Sequence, residues 1–234
     1  MIDGHKVVGV LGGMGPDATV ELMRRVIAAT PAEDDADHIH MLVDNNPKVP
    51  SRLKRLLEGE GEDPGPVLAG MAERLEQSGA DFLVIPCNTA HHYHADAQAA
   101  VDIQVWHLIG MSMRYLRAEH PEVRRVGLLA SSAVQKISLF EPFFQLARLE
   151  LVYPDAETQD VVMQLIRAVK AGTANDALLA EYNRLVRQMS ERSEVDAYLL
   201  GCSELSVLRD QHQQELPVID SLDVLVEKIV AEAG

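Results

Sequence analysis

Two parts of this 234-residue chain repeat one another in order, and that repeat limits the fold more than any single motif. Val8-Gly9-Val10-Leu11 is echoed 118 positions later by Val126-Gly127-Leu128-Leu129. Each is a compact apolar run of the kind that forms a buried parallel strand, and each ends in a turn of small residues. Ala80-Asp81-Phe82-Leu83-Val84-Ile85-Pro86-Cys87 is echoed 115 positions later by Val195-Asp196-Ala197-Tyr198-Leu199-Leu200-Gly201-Cys202. A third echo sets Ile103-Gln104-Val105-Trp106 beside Leu216-Pro217-Val218-Ile219. Buried strands resemble one another, so one echo means little. Three in the same order at nearly one offset predict two homologous halves.

Between the echoes, strand patterns alternate with helix patterns. Pro16 sits at a helix N1 position, with Asp17 and Thr19 in the first turn and an amphipathic stretch to Ala29. A second strand is expected from about His38 to Val43, ending at Asp44-Asn45-Asn46-Pro47. Next comes a polar, Gly- and Pro-rich loop that contains Glu58–Pro64 and belongs on the surface. A helix from about Val67 to Gln77 then leads to a strand over Asp81–Ile85. This alternation predicts an α/β fold: two pseudo-symmetric, Rossmann-like domains with mostly parallel sheets. Ligands of such sheets bind outside the carboxyl ends of the strands, which places an interdomain cleft there. The expected division is 1–112 with about 215–234 as the N-terminal domain and 113–214 as the C-terminal domain, the last helix crossing back onto the first.

Charge and cysteine content narrow the function. A net charge of −15 excludes a nucleic-acid partner, which needs clustered Lys and Arg, and disfavours an anionic membrane. No stretch reads as a membrane span. The opening Met1-Ile2-Asp3-Gly4-His5-Lys6 lacks the apolar region of a signal peptide, so a cytoplasmic location is expected. Two cysteines in such a chain form no disulfide framework.

Those two cysteines, Cys87 and Cys202, occupy the same place in the echoed segments, where a buried strand gives way to a loop or helix. Backbone N–H groups and a helix N-terminus at such a point stabilise a thiolate. Cysteine is also a common core residue, but two core residues have no reason to end echoed strands beside polar neighbours. Paired thiols suit racemisation, in which one group takes a proton from one face of a carbon and the other returns one to the opposite face. Backbone N–H groups after each cysteine, with the hydroxyls of Thr89 and Ser203, are donors for the charge that develops on the substrate carboxylate.

At these residues the sequence resembles the aspartate/glutamate racemase family, and within it the aspartate racemase branch. The resemblance runs through Gly12-Gly13-Met14-Gly15-Pro16, then Asn45-Asn46-Pro47 with Pro50 and Arg52, then Pro86-Cys87-Asn88-Thr89-Ala90-His91. It continues in Val169-Lys170-Ala171-Gly172, Gly201-Cys202-Ser203-Glu204 and Val218-Ile219-Asp220. It implies a two-domain enzyme, a homodimer, that uses neither pyridoxal phosphate nor a metal and takes Cys87 and Cys202 as its acid/base pair. It also implies that Arg52 and Lys170 bind substrate carboxylate, that Asn88, Thr89 and Ser203 surround the α-carboxylate, and that Met14 and Ala90 complete the contacts. Two cations reserved in so acidic a chain point to a dianionic substrate, aspartate or glutamate. Two positions depart from the family pattern: Ser203 stands where threonine is usual, and Ser51 where an aspartate often precedes the arginine.

Rival readings remain open at this point. Gly13-Met14-Gly15-Pro16-Asp17-Ala18 fits a dinucleotide fingerprint but leaves the echoed cysteines unexplained. His91, His92 and His94 match no metal spacing; His91 belongs to the family motif, and His92 and His94 read as solvated. Met14, Met111, Met113 and Trp106 also read as packing residues. Within the resemblance, a broad-specificity racemase and a maleate-type isomerase are alternatives, and a small-molecule binding protein without catalysis is an alternative of another class.

Overall fold

The computed structural model describes residues 5–234, so the Met1–Gly4 part of the opening stretch read against a signal peptide lies outside the described residues. The residues group into two compact units, 1–108 with 222–234 and 109–221. In the first unit the chain runs β1 (Val8–Gly12), α1 (Pro16–Ala29), β2 (Met41–Asn45), α2 (Gly65–Gln77), β3 (Phe82–Val84), α3 (His94–Ala99) and β4 (Gln104–Val105). Then α4 (Leu108–Glu119) leads into β5 (Arg125–Leu129), α5 (Ser132–Lys136), α6 (Glu141–Ala147), β6 (Glu150–Val152), α7 (Ala156–Lys170) and α8 (Asp176–Ser193). Next come β7 (Ala197–Leu200), α9 (Ser203–Ser206) and β8 (Val218–Asp220), and α10 (Ser221–Ala233) closes the chain.

Each unit holds one four-stranded sheet, ordered β2-β1-β3-β4 in the first and β6-β5-β7-β8 in the second, and every pairing is parallel. The mixed α/β fold read from the sequence is therefore present. The repeat reaches down to the register: Val8 lies opposite Phe82 as Val126 lies opposite Ala197, and Leu83 opposite Val105 as Tyr198 opposite Val218. Even the strand entry is duplicated. Asp81 Oδ2 accepts from Val7 N at 2.6 Å, and Asp196 Oδ2 accepts from Arg125 N at 2.8 Å.

The strands form where the apolar runs predict them because both faces are covered: every residue of β1, β3 and β7 is buried. Leu11, Leu68, Met71 and Leu83 pack at 0% exposure in the first core. Burial of that kind contributes roughly 1.5–3 kcal/mol per side chain. Trp106 stacks on Phe82 at 4.0 Å between ring centroids and is buried. Pro16 occupies the first turn of α1, as its missing N–H allows.

Three expectations need correction. The second strand begins at Met41, not His38, because residues 35–37 make a short 3-10 turn capped by the Asp34 side chain. Within the polar loop region, Lys54–Glu58 form a π-helical turn that ends on Gly59 at φ 74°, the left-handed region open to glycine. The division near residue 215 moves as well: β8 pairs with β7 in the second sheet, and only from Leu222 does the chain group with the first unit. One asymmetry between the sheets has a simple cause. Gly201 N donates to Leu129 O at 2.9 Å and prolongs the β7 ladder, whereas the echoed Pro86 has no N–H to give, so β3 stops at Val84.

Candidate functional site

In parallel sheets all strands end at one edge, so the segments after β1, β2 and β3 gather there: residues 13–16, 46–52 and 85–91. Gly13 lies in the left-handed region at φ 86°, and a Cβ on it would meet the Asn46 backbone at 2.2 Å. Its N–H donates to Thr19 Oγ1 at 2.9 Å. The glycine thus lets two loops touch, an internal packing need that explains the motif without a pyrophosphate.

Met14, Val49, Cys87 and Ala90 belong to one buried cluster in this unit. Arg52, 9% exposed, is anchored there by main-chain oxygens: its Nη1 donates to Val49 O at 3.1 Å and Pro50 O at 2.7 Å. The guanidinium is oriented without a neighbouring aspartate, and among the described residues it forms no ion pair.

Cys87, 8% exposed, starts a 3-10 turn over Thr89–Tyr93, with Asn88, Thr89 and Ala90 all buried after it. His91 locks this turn. Leu108 N donates to its Nε2 at 3.0 Å, so the ring proton sits on Nδ1 and donates to Cys87 O at 3.0 Å. Burial, with His107 and His94 nearby, pushes the His91 pKa down from 6.5 to about 3, which keeps the ring neutral. His94 is not solvated as the sequence suggested: its Nε2 donates to Val105 O at 2.8 Å and its ring lies 4.7 Å from that of His107. His92 is exposed. Among the described residues no group of three or more His, Cys, Asp or Glu is arranged to hold a metal.

The second unit builds the same edge from different side chains. Cys202, 6% exposed, follows β7 and is the N-cap of α9, a helix of only four residues. Its Sγ donates to Glu204 Oε2 at 3.0 Å. The other carboxylate oxygen of Glu204 lies 2.5 Å from Lys170 Nζ at the end of α7. Lys170 is therefore not a cation standing alone, as the sequence reading had it. Ser203 Oγ is buried and has no hydrogen-bond partner among the described residues. Beneath α9, Tyr182 OH lies 3.1 Å from His212 Nδ1, and His212 Nε2 lies 3.1 Å from Leu205 O. Burial holds the Tyr182 hydroxyl well above its usual range and His212 below its own. Ser206 Oγ donates to Asp220 Oδ1 at 2.6 Å and braces the same turn from β8.

Each unit thus assembles its own share: Met14, Arg52, Cys87, Asn88, Thr89 and Ala90 in the first, Lys170, Cys202 and Ser203 in the second. Sequence reasoning named Glu204 within a motif but gave it no role, and it missed Tyr182, His212 and the lock at His91. Only Glu204 and His91 had a signal, their place beside the cysteines.

Comparisons with known proteins bear on the family and the fold. The family described as Asp/Glu/Hydantoin racemase matches residues 11–229. The broad specificity amino-acid racemase RacX of Bacillus subtilis (strain 168) is 28% identical over 229 residues, 96% of this chain and 97% of that relative. Among solved structures, the Picrophilus torridus aspartate racemase superposes with a TM-score of 0.85 at 29% identity, covering 98% of this chain and 94% of that one. An aspartate racemase homologue from Pyrococcus horikoshii OT3 shares the fold, with a TM-score of 0.76 at 20% identity over 97% and 99% of the two chains.

Proposed function

The chain belongs to the Asp/Glu/Hydantoin racemase family, and we propose that it interconverts the L and D forms of an acidic amino acid, aspartate or glutamate, without a cofactor and with Cys87 and Cys202 as the two bases. The observation that carries this reading is positional. The two cysteines are free thiols, and each follows the equivalent strand of a sheet with the same order and register.

In the proposed reaction one cysteine, as thiolate, takes the α-proton while the other, as thiol, returns a proton to the opposite face. The α-hydrogen is weakly acidic, so charge that spreads onto the substrate carboxylate needs fixed donors. Ser203 Oγ, buried without a protein partner, is one such donor. Arg52, held by two carbonyls, presents its remaining N–H groups to a carboxylate as a preset fork. Thr89 and Asn88, in the turn opened by Cys87, supply the corresponding groups of the first unit.

One observation favours a second reading, a broad-specificity racemase. Lys170 is already compensated by Glu204 inside its own unit, which weakens its pull on a second substrate carboxylate. The test is incubation with L-aspartate, L-glutamate and a set of neutral L-amino acids in D2O without added cofactor. Chiral chromatography follows the D enantiomer, and NMR follows loss of the α-proton. D product with deuterium at the α-carbon, lost in both Cys87→Ala and Cys202→Ala, is the expected result. Turnover of neutral acids at comparable kcat/KM would replace the acidic-substrate assignment with the broad one. No exchange on any of them would end the racemase reading and send the search to maleate.

A further inference from the structure

The two cysteines are close in burial, but Cys202 alone is shown with a carboxylate as its hydrogen-bond acceptor. Cys87 is 8% exposed and Cys202 6%, so neither is better shielded from solvent. Cys87 leads into the turn of Asn88, Thr89 and Ala90, and its carbonyl accepts from the neutral His91. Cys202 has a carboxylate: its Sγ donates to Glu204 Oε2 at 3.0 Å, and Glu204 is itself 5% exposed. Lys170 at 2.5 Å holds that carboxylate in place. The other titratable groups facing this turn are Tyr182 of α8 with its partner His212, and Asp220 of β8, bonded to Ser206.

We propose that Glu204, fixed by Lys170, is a positioning residue that holds the proton on Cys202, so that in the resting protein Cys202 is the thiol and Cys87 the thiolate. A carboxylate that accepts a hydrogen bond from S–H stabilises the thiol, because that bond is lost when the sulfur ionises. The inference rests on the two-cysteine reading above and assigns roles within it. In the first turnover the Cα–H bond breaks and its proton bonds to Cys87 Sγ, while the electron pair spreads onto the substrate carboxylate. The Cys202 S–H bond then breaks and its proton forms the new Cα–H bond on the other face. The product state, with a thiolate beside Glu204, is the disfavoured one, and it returns to the resting state by exchanging protons with solvent.

The experiment is brief alkylation with iodoacetamide across pH 5.5–9.5, read cysteine by cysteine through peptide mass spectrometry. In the wild type, Cys87 is expected to be modified at lower pH than Cys202. In Glu204→Gln the pH midpoint of Cys202 moves down by about one unit or more, because the S–H loses its charged acceptor and Lys170 loses its counter-charge. In Glu204→Asp, which keeps the carboxylate, it moves back toward the wild-type value. A purely structural role for Glu204 would change unfolding and leave that midpoint in place. Wild-type modification of Cys202 before Cys87 overturns the proposal, and so does an unmoved Cys202 midpoint in Glu204→Gln. If Glu204→Gln does not fold, the wild-type order alone decides. The outcome is separate from the fate of the racemase reading, because alkylation needs no substrate: a protein that fails to racemise any amino acid can still show, or fail to show, this order.

Discussion

The buried imidazole of His91 gives the first unit a pH dependence that can be worked out in advance. In the folded protein His91 stays neutral down to about pH 3, whereas in the unfolded chain it titrates at its ordinary 6.5. Between those values the unfolded state binds more protons, so stability is complete above pH 6.5 and falls as the pH drops through the window. The limiting slope is about 1.4 kcal/mol per pH unit. From pH 7 to pH 5 the loss assigned to this residue is therefore about 2 kcal/mol. His91→Asn removes the titrating group and keeps a side-chain donor near Cys87 O. At pH 7 the variant should be less stable by about 1–3 kcal/mol, since the Leu108 N–H loses its acceptor. At pH 5 most of that difference should be gone. Urea unfolding followed by fluorescence suits the test, because the only tryptophan, Trp106, is buried in the same unit. If wild type and variant lose equal stability between pH 7 and pH 5, the neutral, locked His91 described above is wrong.

Gly13→Ala should cost roughly 2–5 kcal/mol, combining a left-handed backbone with a Cβ driven into Asn46. A urea midpoint within error of the wild type would contradict the loop contact. Ser203→Ala should leave stability within about 0.5 kcal/mol, as the hydroxyl has no protein partner, yet lower kcat/KM about fivefold, the worth of one hydrogen bond. Backbone hydrogen bonds from Arg125 and Arg124 hold the Asp196 carboxyl below its usual value. Its stabilisation is present above pH 3.8 and lost as the pH falls below it, so the gap between wild type and Asp196→Asn should close in acid. A gap of constant size from pH 7 to pH 3 would show that the carboxylate does not hold the strand entry.

Much of the fold was readable because parallel strands buried on both faces leave unbroken apolar runs, as in Val8–Leu11 and Val126–Leu129. Their repetition at nearly one offset pointed to two like halves; the strand order and register that those halves share came only with the structure. The half-buried β2 has no such run, and its start was misplaced by three residues. The cysteines stood out because they end echoed strands. What surrounds them did not, because it comes from distant segments: Lys170 reaches Glu204 from the end of α7, and the amide that fixes His91 belongs to Leu108. Contacts of that kind leave no local pattern. The pairing that compensates Lys170 was invisible for the same reason, so the sequence alone overstated how many cations wait for a ligand.

The return of α10 to the first unit has a consequence for biosynthesis. Leu222, Leu225 and Ile229 are buried, Asp223 pairs with Arg25 at 2.7 Å, and Lys228 sits 5.6 Å above the Trp106 ring. The unit that leaves the ribosome first therefore lacks one of its own helices until residues 221–233 emerge. The second unit is continuous in sequence and has all its parts earlier. Domains usually complete in the order of their synthesis; here the order is reversed. A message truncated before residue 222 would yield a finished second unit tethered to an unfinished first one, with apolar surface open to chaperones and proteases.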